Sequence, residues 1–232
     1  MTFVLLIILS LGCADEEEPD EGSNFTLEIG KPIEFKYDPT VENSFEDTYY
    51  GMDLAFYIPP GIEELKNRPL LFTLSTRRNR SVSGSLLPII QKHGMIAVSP
   101  MNGNSAQFEA FFEALIETEY IDSSETYMSG FSNGGRDIYQ LAWSQQDKVK
   151  GVILLDPSDF FSGEPLENSK LSICIVCQDD RIGQYEPDIT SLNELGIKSK
   201  MIAVEGLDHF GILSSLTIKE KTDCFEFVSE GN

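Results

Sequence analysis

Ser132 stands in Gly130-Phe131-Ser132-Asn133-Gly134, a G-x-S-x-G pattern followed by a second glycine, Gly135. An apolar strand-like run over residues 126–128 leads into it, and Ile138, Leu141 and Ala142 follow at helix spacing. A serine at the tip of a tight strand-to-helix turn is held in strained backbone, so the residues two before and two after it must be small. That arrangement makes Ser132 the candidate nucleophile. The N–H of Asn133, opening the helix, is a candidate donor to an oxyanion, because free N–H groups and the positive end of the helix dipole meet there.

A serine nucleophile needs a base, and the base needs an orienting group. The chain has two histidines, His93 and His209. His93 closes a helical run over residues 86–93 just before Gly94, an ordinary place for a basic side chain. His209 lies in Val204-Glu205-Gly206-Leu207-Asp208-His209, read as a loop after the last strand, and is the candidate base. Three acids sit at strand ends between Ser132 and His209. Asp179 and Asp180 follow a strand over residues 173–177, and Asp156 follows one over 152–155, just before Pro157. Neither G-x-x-x-x-G-K-[ST] nor G-x-G-x-x-G is present, which removes the main phosphate-binding readings of the glycine-rich turn.

The chain has 232 residues, 41% hydrophobic, enough for one domain with a sizeable core. Its net charge of −21 disfavours nucleic acid or an anionic membrane face as a partner bound through a basic patch. Residues 3–11 are an apolar run of signal-peptide length, too short to span a bilayer. Ser10-Leu11-Gly12-Cys13 resembles a bacterial lipobox. On that resemblance residues 1–12 are a signal peptide, Cys13 is lipidated, and residues 13–24 are an acidic tether resembling the export signal of surface lipoproteins. The expected location is the cell envelope, or the medium if the signal is simply cleaved. Cys174 and Cys177 are three apart in a strand, so they face opposite sides; this reads as buried thiols, and no metal site is expected.

From residue 25 to 232 the pattern is one domain. Residues 25–37 and 48–58 alternate as antiparallel edge strands would, and short apolar strands alternating with helical runs follow. That order predicts an α/β class, a mostly parallel sheet with helices on both faces and antiparallel strands at its N-terminal edge. Only residues 156–172 separate the strands over 152–155 and 173–177, with Phe160 and Phe161 as candidate apolar walls.

Phe56-Tyr57-Ile58-Pro59-Pro60-Gly61, Pro69 to Leu74, Gly94 to Pro100, Tyr127 to Gly135, Gln178-Asp179-Asp180 and Gly206 to His209 together resemble the α/β-hydrolase superfamily. Within it the chain is similar to small secreted serine esterases: feruloyl esterases, acetylxylan esterases and polyhydroxybutyrate depolymerase-like proteins. The resemblance implies the α/β-hydrolase fold without a large cap, a Ser-Asp-His chain order, no cofactor, and a small-molecule or polysaccharide-borne ester as substrate. All three acids satisfy that order; Asp180, just after the strand over residues 173–177, is the expected orienting acid, with Asp179 and then Asp156 behind it. Such enzymes usually carry His-Gly where this chain has Ser75-Thr76-Arg77, and the Arg77 N–H is the expected second oxyanion donor. Two other readings stay open: a peptidase or dienelactone-hydrolase-like enzyme on the same fold, and a catalytically inactive surface lipoprotein that binds glycans or partners.

Overall fold

The computed structural model describes residues 40, 43–75, 81–159 and 169–231. The signal peptide, Cys13, the tether, the strand expected over residues 25–37, Arg77, Phe160 and Phe161 lie outside the described residues.

The described chain forms one eight-stranded sheet in the order β1-β2-β4-β3-β5-β6-β7-β8. β1 (Asn43–Tyr49) and β2 (Met52–Ile58) form a hairpin, and β2 joins β4 (Ile96–Pro100) antiparallel. Every other pairing is parallel, through β3 (Arg68–Ser75), β5 (Ile121–Phe131), β6 (Gly151–Leu155), β7 (Ser172–Gln178) and β8 (Lys198–Val204). The mostly parallel sheet with antiparallel strands at its N-terminal edge is the one the alternation predicts. One expected strand, over residues 48–58, is in fact the end of β1, a turn and β2. Tyr50 and Gly51 both have positive φ, 53° and 70°, which gives the two-residue turn a twist that matches the hairpin. A tyrosine in the first turn position hides that signal.

Strands buried on both faces read as continuous apolar runs, and β6 is Gly-Val-Ile-Leu-Leu, all buried. Alternate residues serve two cores. Val152 and Leu154 face the layer of α3 (Ser105–Ile116), α4 (Asn133–Ser144) and α5 (Ile182–Glu194), with Phe111, Phe112, Ile138 and Tyr185. Ile153 and Leu155 face α1 (Ser81–Ser85), α2 (Leu87–His93), α6 (His209–Ser215) and α7 (Ile218–Ser229), with Ile90, Ile212 and Phe225. Helix α3 buries Phe108, Phe111, Phe112 and Leu115 at i, i+3, i+4 and i+7, and Asn104 with Gln107 closes its N-terminus as a capping box. Burying each of those side chains contributes about 1.5–3 kcal/mol.

Cys177 belongs to the first core and Cys174 to the second, as strand alternation requires. Cys174, Cys177 and Cys224 are buried free thiols. A hydrogen bond with Cys174 and burial push the Cys224 thiol up, which keeps it protonated. His93 packs its ring 4.5 Å from Phe225, and burial pushes its pKa down, as for a neutral side chain built into the core edge. Among the described residues no helix is long and apolar enough to cross a membrane, and no three His, Cys, Asp or Glu gather as a metal site would need.

Candidate active site

β3 lies between β4 and β5, so the chain leaves it first to one side and then to the other. A crevice opens at the carboxyl ends of strands flanking such a reversal. Ser75 ends β3, and Ser132 follows directly on β5.

Ser132 has φ 57° and ψ −126°, a region that L-residues occupy at a cost of about 1–3 kcal/mol. The surrounding backbone enforces it. The Ser132 N–H donates to the Leu155 carbonyl at 3.2 Å, and the Ser132 carbonyl accepts from Gly135, Ser158 and Arg136 at 2.9, 3.1 and 3.2 Å. The glycines make room for this. A methyl at position 134 would stand 2.7 Å from the N, Cα and C of Ser75, and one at position 130 would strike the Gly134 carbonyl. Gly134→Ala therefore has to push α4 off the end of β3. The expected cost is about 1–3 kcal/mol, read as a melting temperature lower by roughly 2–12 °C in a domain of this size.

Asn133 is exposed and is the first residue of the twelve-residue α4, whose first N–H groups have no partner within the helix. His209 is the first residue of α6 rather than a loop residue. Asp208 caps that helix by accepting from the Gly211 N–H at 2.7 Å. The His209 ring stacks on Phe131 with centroids 4.5 Å apart and planes 29° apart, so the base candidate is packed against the residue just before Ser132. Phe210, 58% exposed, closes the outer side of this group at 5.9 Å from the Phe131 ring.

The acid beside His209 is Asp156, not Asp180. Nδ1 of His209 lies 2.5 Å from Oδ2 of Asp156, whose side chain is wholly buried. Asp180 is instead exposed, with Asp179, on a short 3-10 turn (Asp179–Arg181) directed into α5. Sequence order alone makes the end of β7 and the end of β6 equivalent. What separates them is the path of the chain: Asp156 turns inward with φ 42°, its N–H donating to the Val176 carbonyl at 2.7 Å, whereas the chain after Gln178 runs at once into a helix.

Three more groups meet at Asp156. Nε2 of Gln178 donates to Oδ2 at 2.7 Å. Nη1 of Arg181 lies 2.9 Å from Oδ1 as an ion pair. Burial and the charge of Asp156 push the Cys177 thiol up to about 11, which keeps it protonated. Burial and the same negative charge push Tyr185 up as well, and its hydroxyl donates to the Pro157 carbonyl at 2.5 Å. Gln178, Arg181 and Phe131 were not singled out from the sequence. The visible signal was Arg181 alone, a cation directly after two acids in an acidic chain.

No protein-family model matches the chain, and no curated protein matches it. Solved structures do. An esterase from Pseudomonas putida superposes with a TM-score of 0.64 at 11% identity, over 84% of this chain and 84% of that one. An S-formylglutathione hydrolase from Staphylococcus aureus gives 0.56 at 14%, over 83% and 98%. The esterase Est1E from Butyrivibrio proteoclasticus gives 0.53 at 14%, over 81% and 96%. At such identities the likeness speaks for the architecture, and with the strand order and the strained turn after β5 it establishes that this chain has the α/β-hydrolase fold.

Proposed function

We propose that the protein is a serine hydrolase that cleaves carboxylic esters through an acyl-enzyme, with Ser132 as nucleophile, His209 as base and Asp156 as the acid that orients it. The observation that carries this reading is the contact of His209 Nδ1 with the buried Asp156 carboxylate, made by a ring stacked on the residue before Ser132. A carboxylate only accepts, so Nδ1 carries a proton and the neutral ring presents its lone pair at Nε2. Nε2 takes the Ser132 proton as Oγ bonds to the acyl carbon. The carbonyl oxygen becomes an oxyanion, with the Asn133 N–H as the first proposed donor and the Arg77 N–H as the second. Collapse breaks the ester C–O bond, and the leaving alcohol takes the proton from Nε2. Water then repeats the sequence, releasing the carboxylic acid and restoring Ser132.

Esters are favoured as substrates because the solved relatives of the fold include enzymes described as esterases. The apolar N-terminal run, Cys13 and the acidic segment after it support an exported protein anchored by lipid.

The test is covalent. A fluorophosphonate probe reacts at an activated serine, its phosphorus bonding to Oγ while fluoride leaves. Mass spectrometry of the purified protein is expected to find one adduct, on Ser132, alongside hydrolysis of short acyl esters. A folded protein that takes no label and cleaves no ester rejects the reading.

A further inference from the structure

The turn after β7, which carries Asp179 and Asp180, also carries two side chains that hold the acid supplied by the end of β6. Gln178 and Arg181 reach Asp156 from that turn, one at each carboxylate oxygen, at 2.7 and 2.9 Å. Arg181 is itself fixed at every nitrogen. Its Nε donates to Gln184 Oε1 at 3.0 Å and its Nη2 to the Pro157 carbonyl at 3.1 Å, and the guanidinium lies 4.9 Å over the Tyr185 ring. Tyr185 donates to the same Pro157 carbonyl. The backbone following Asp156 and the cation facing it are thus locked to each other.

We propose that Arg181, assisted by Gln178, is a positioning residue of the hydrolase site: it compensates the buried Asp156 charge and fixes the carboxylate so that Oδ2 meets His209 Nδ1. This rests on the Ser132, His209, Asp156 reading. A fully buried carboxylate is costly unless paired and hydrogen-bonded. The His209 contact alone leaves Oδ1 bare, and a carboxylate with one free oxygen turns about its Cβ–Cγ bond. A guanidinium held by three neighbours stops that rotation, because its planar fork allows one approach.

The rate of Ser132 labelling by a fluorophosphonate reads this without knowledge of the substrate. Small misplacements of catalytic groups cost up to about 100-fold, so Arg181→Gln is expected to slow labelling by about 10- to 100-fold. Arg181→Lys, which keeps the charge but not the fork, should recover part of the rate. The decisive comparison is with Asp156→Asn: a residue that acts through Asp156 has nothing left to act on, so adding Arg181→Gln to Asp156→Asn should slow labelling no further. If Arg181→Gln does not fold, as near-ultraviolet circular dichroism would reveal, Gln178→Leu takes its place in the same comparison, with a slowing of about 3- to 10-fold expected in the wild-type background only. Labelling of Arg181→Gln at the wild-type rate overturns the proposal, and so does an equal slowing in both backgrounds. A wild-type protein that takes no label overturns the hydrolase reading and this inference with it, whereas a normal wild type with an indifferent Arg181 variant removes this inference alone.

Discussion

Replacing Ser132 with alanine is expected to lower kcat for ester hydrolysis by about 10⁶-fold, since loss of a triad nucleophile removes the covalent route altogether. The melting temperature should not change. Ser132 precedes α4 without making a side-chain capping bond, and alanine has the same Cβ at φ 57°, so both the strain and the backbone bonds that enforce it persist. Steady-state kinetics and a thermal melt of Ser132→Ala check both halves. Turnover near that of the wild type would mean that the chemistry resides elsewhere.

A pair of acid substitutions decides between two strand ends. Asp156→Asn is expected to lower kcat by about 10⁴-fold, the scale of losing a triad acid while its shape remains. An asparagine can turn its NH2 toward Nδ1, which favours the tautomer with the proton on Nε2, where it blocks uptake from Ser132. It also leaves Arg181 facing a neutral amide. Asp180→Asn is expected to stay within about twofold of wild type, because Asp180 is exposed and surface changes away from a built feature cost little. Kinetics on both variants check this, and the reverse result, loss at Asp180 and indifference at Asp156, would return the acid role to the end of β7.

The elements that position this site were legible because they depend on local pattern. Glycines at positions 130 and 134 are demanded by contacts of under 3 Å that any side chain would make, and that demand is visible in the sequence. The face alternation of Cys174 and Cys177 follows from strand geometry alone. The partner of His209 was not local. Asp156 and Asp180 both end apolar parallel strands, and only the tertiary path, with Asp156 turning in and the β7 turn running into α5, distinguishes them. The same limit hid Arg181, whose contacts reach back 24 and 25 residues to Pro157 and Asp156. The Tyr50-Gly51 turn was missed for a different reason: its backbone needs two positive φ angles, and tyrosine does not advertise one.

The four backbone hydrogen bonds at Ser132 tie its strain to β6 and to the first turn of α4. The bond to Leu155 in that set releases only if the end of β5 parts from the end of β6. The proposed nucleophile therefore shares its stability with the sheet, and its tolerance to mutation is tied to that of the domain. A substitution far away, in α3 or in the β1–β2 hairpin, that lowers the folding free energy reduces by the same amount the margin holding Ser132 in its strained form. In this chain, evolvability of the active site is a property of the core.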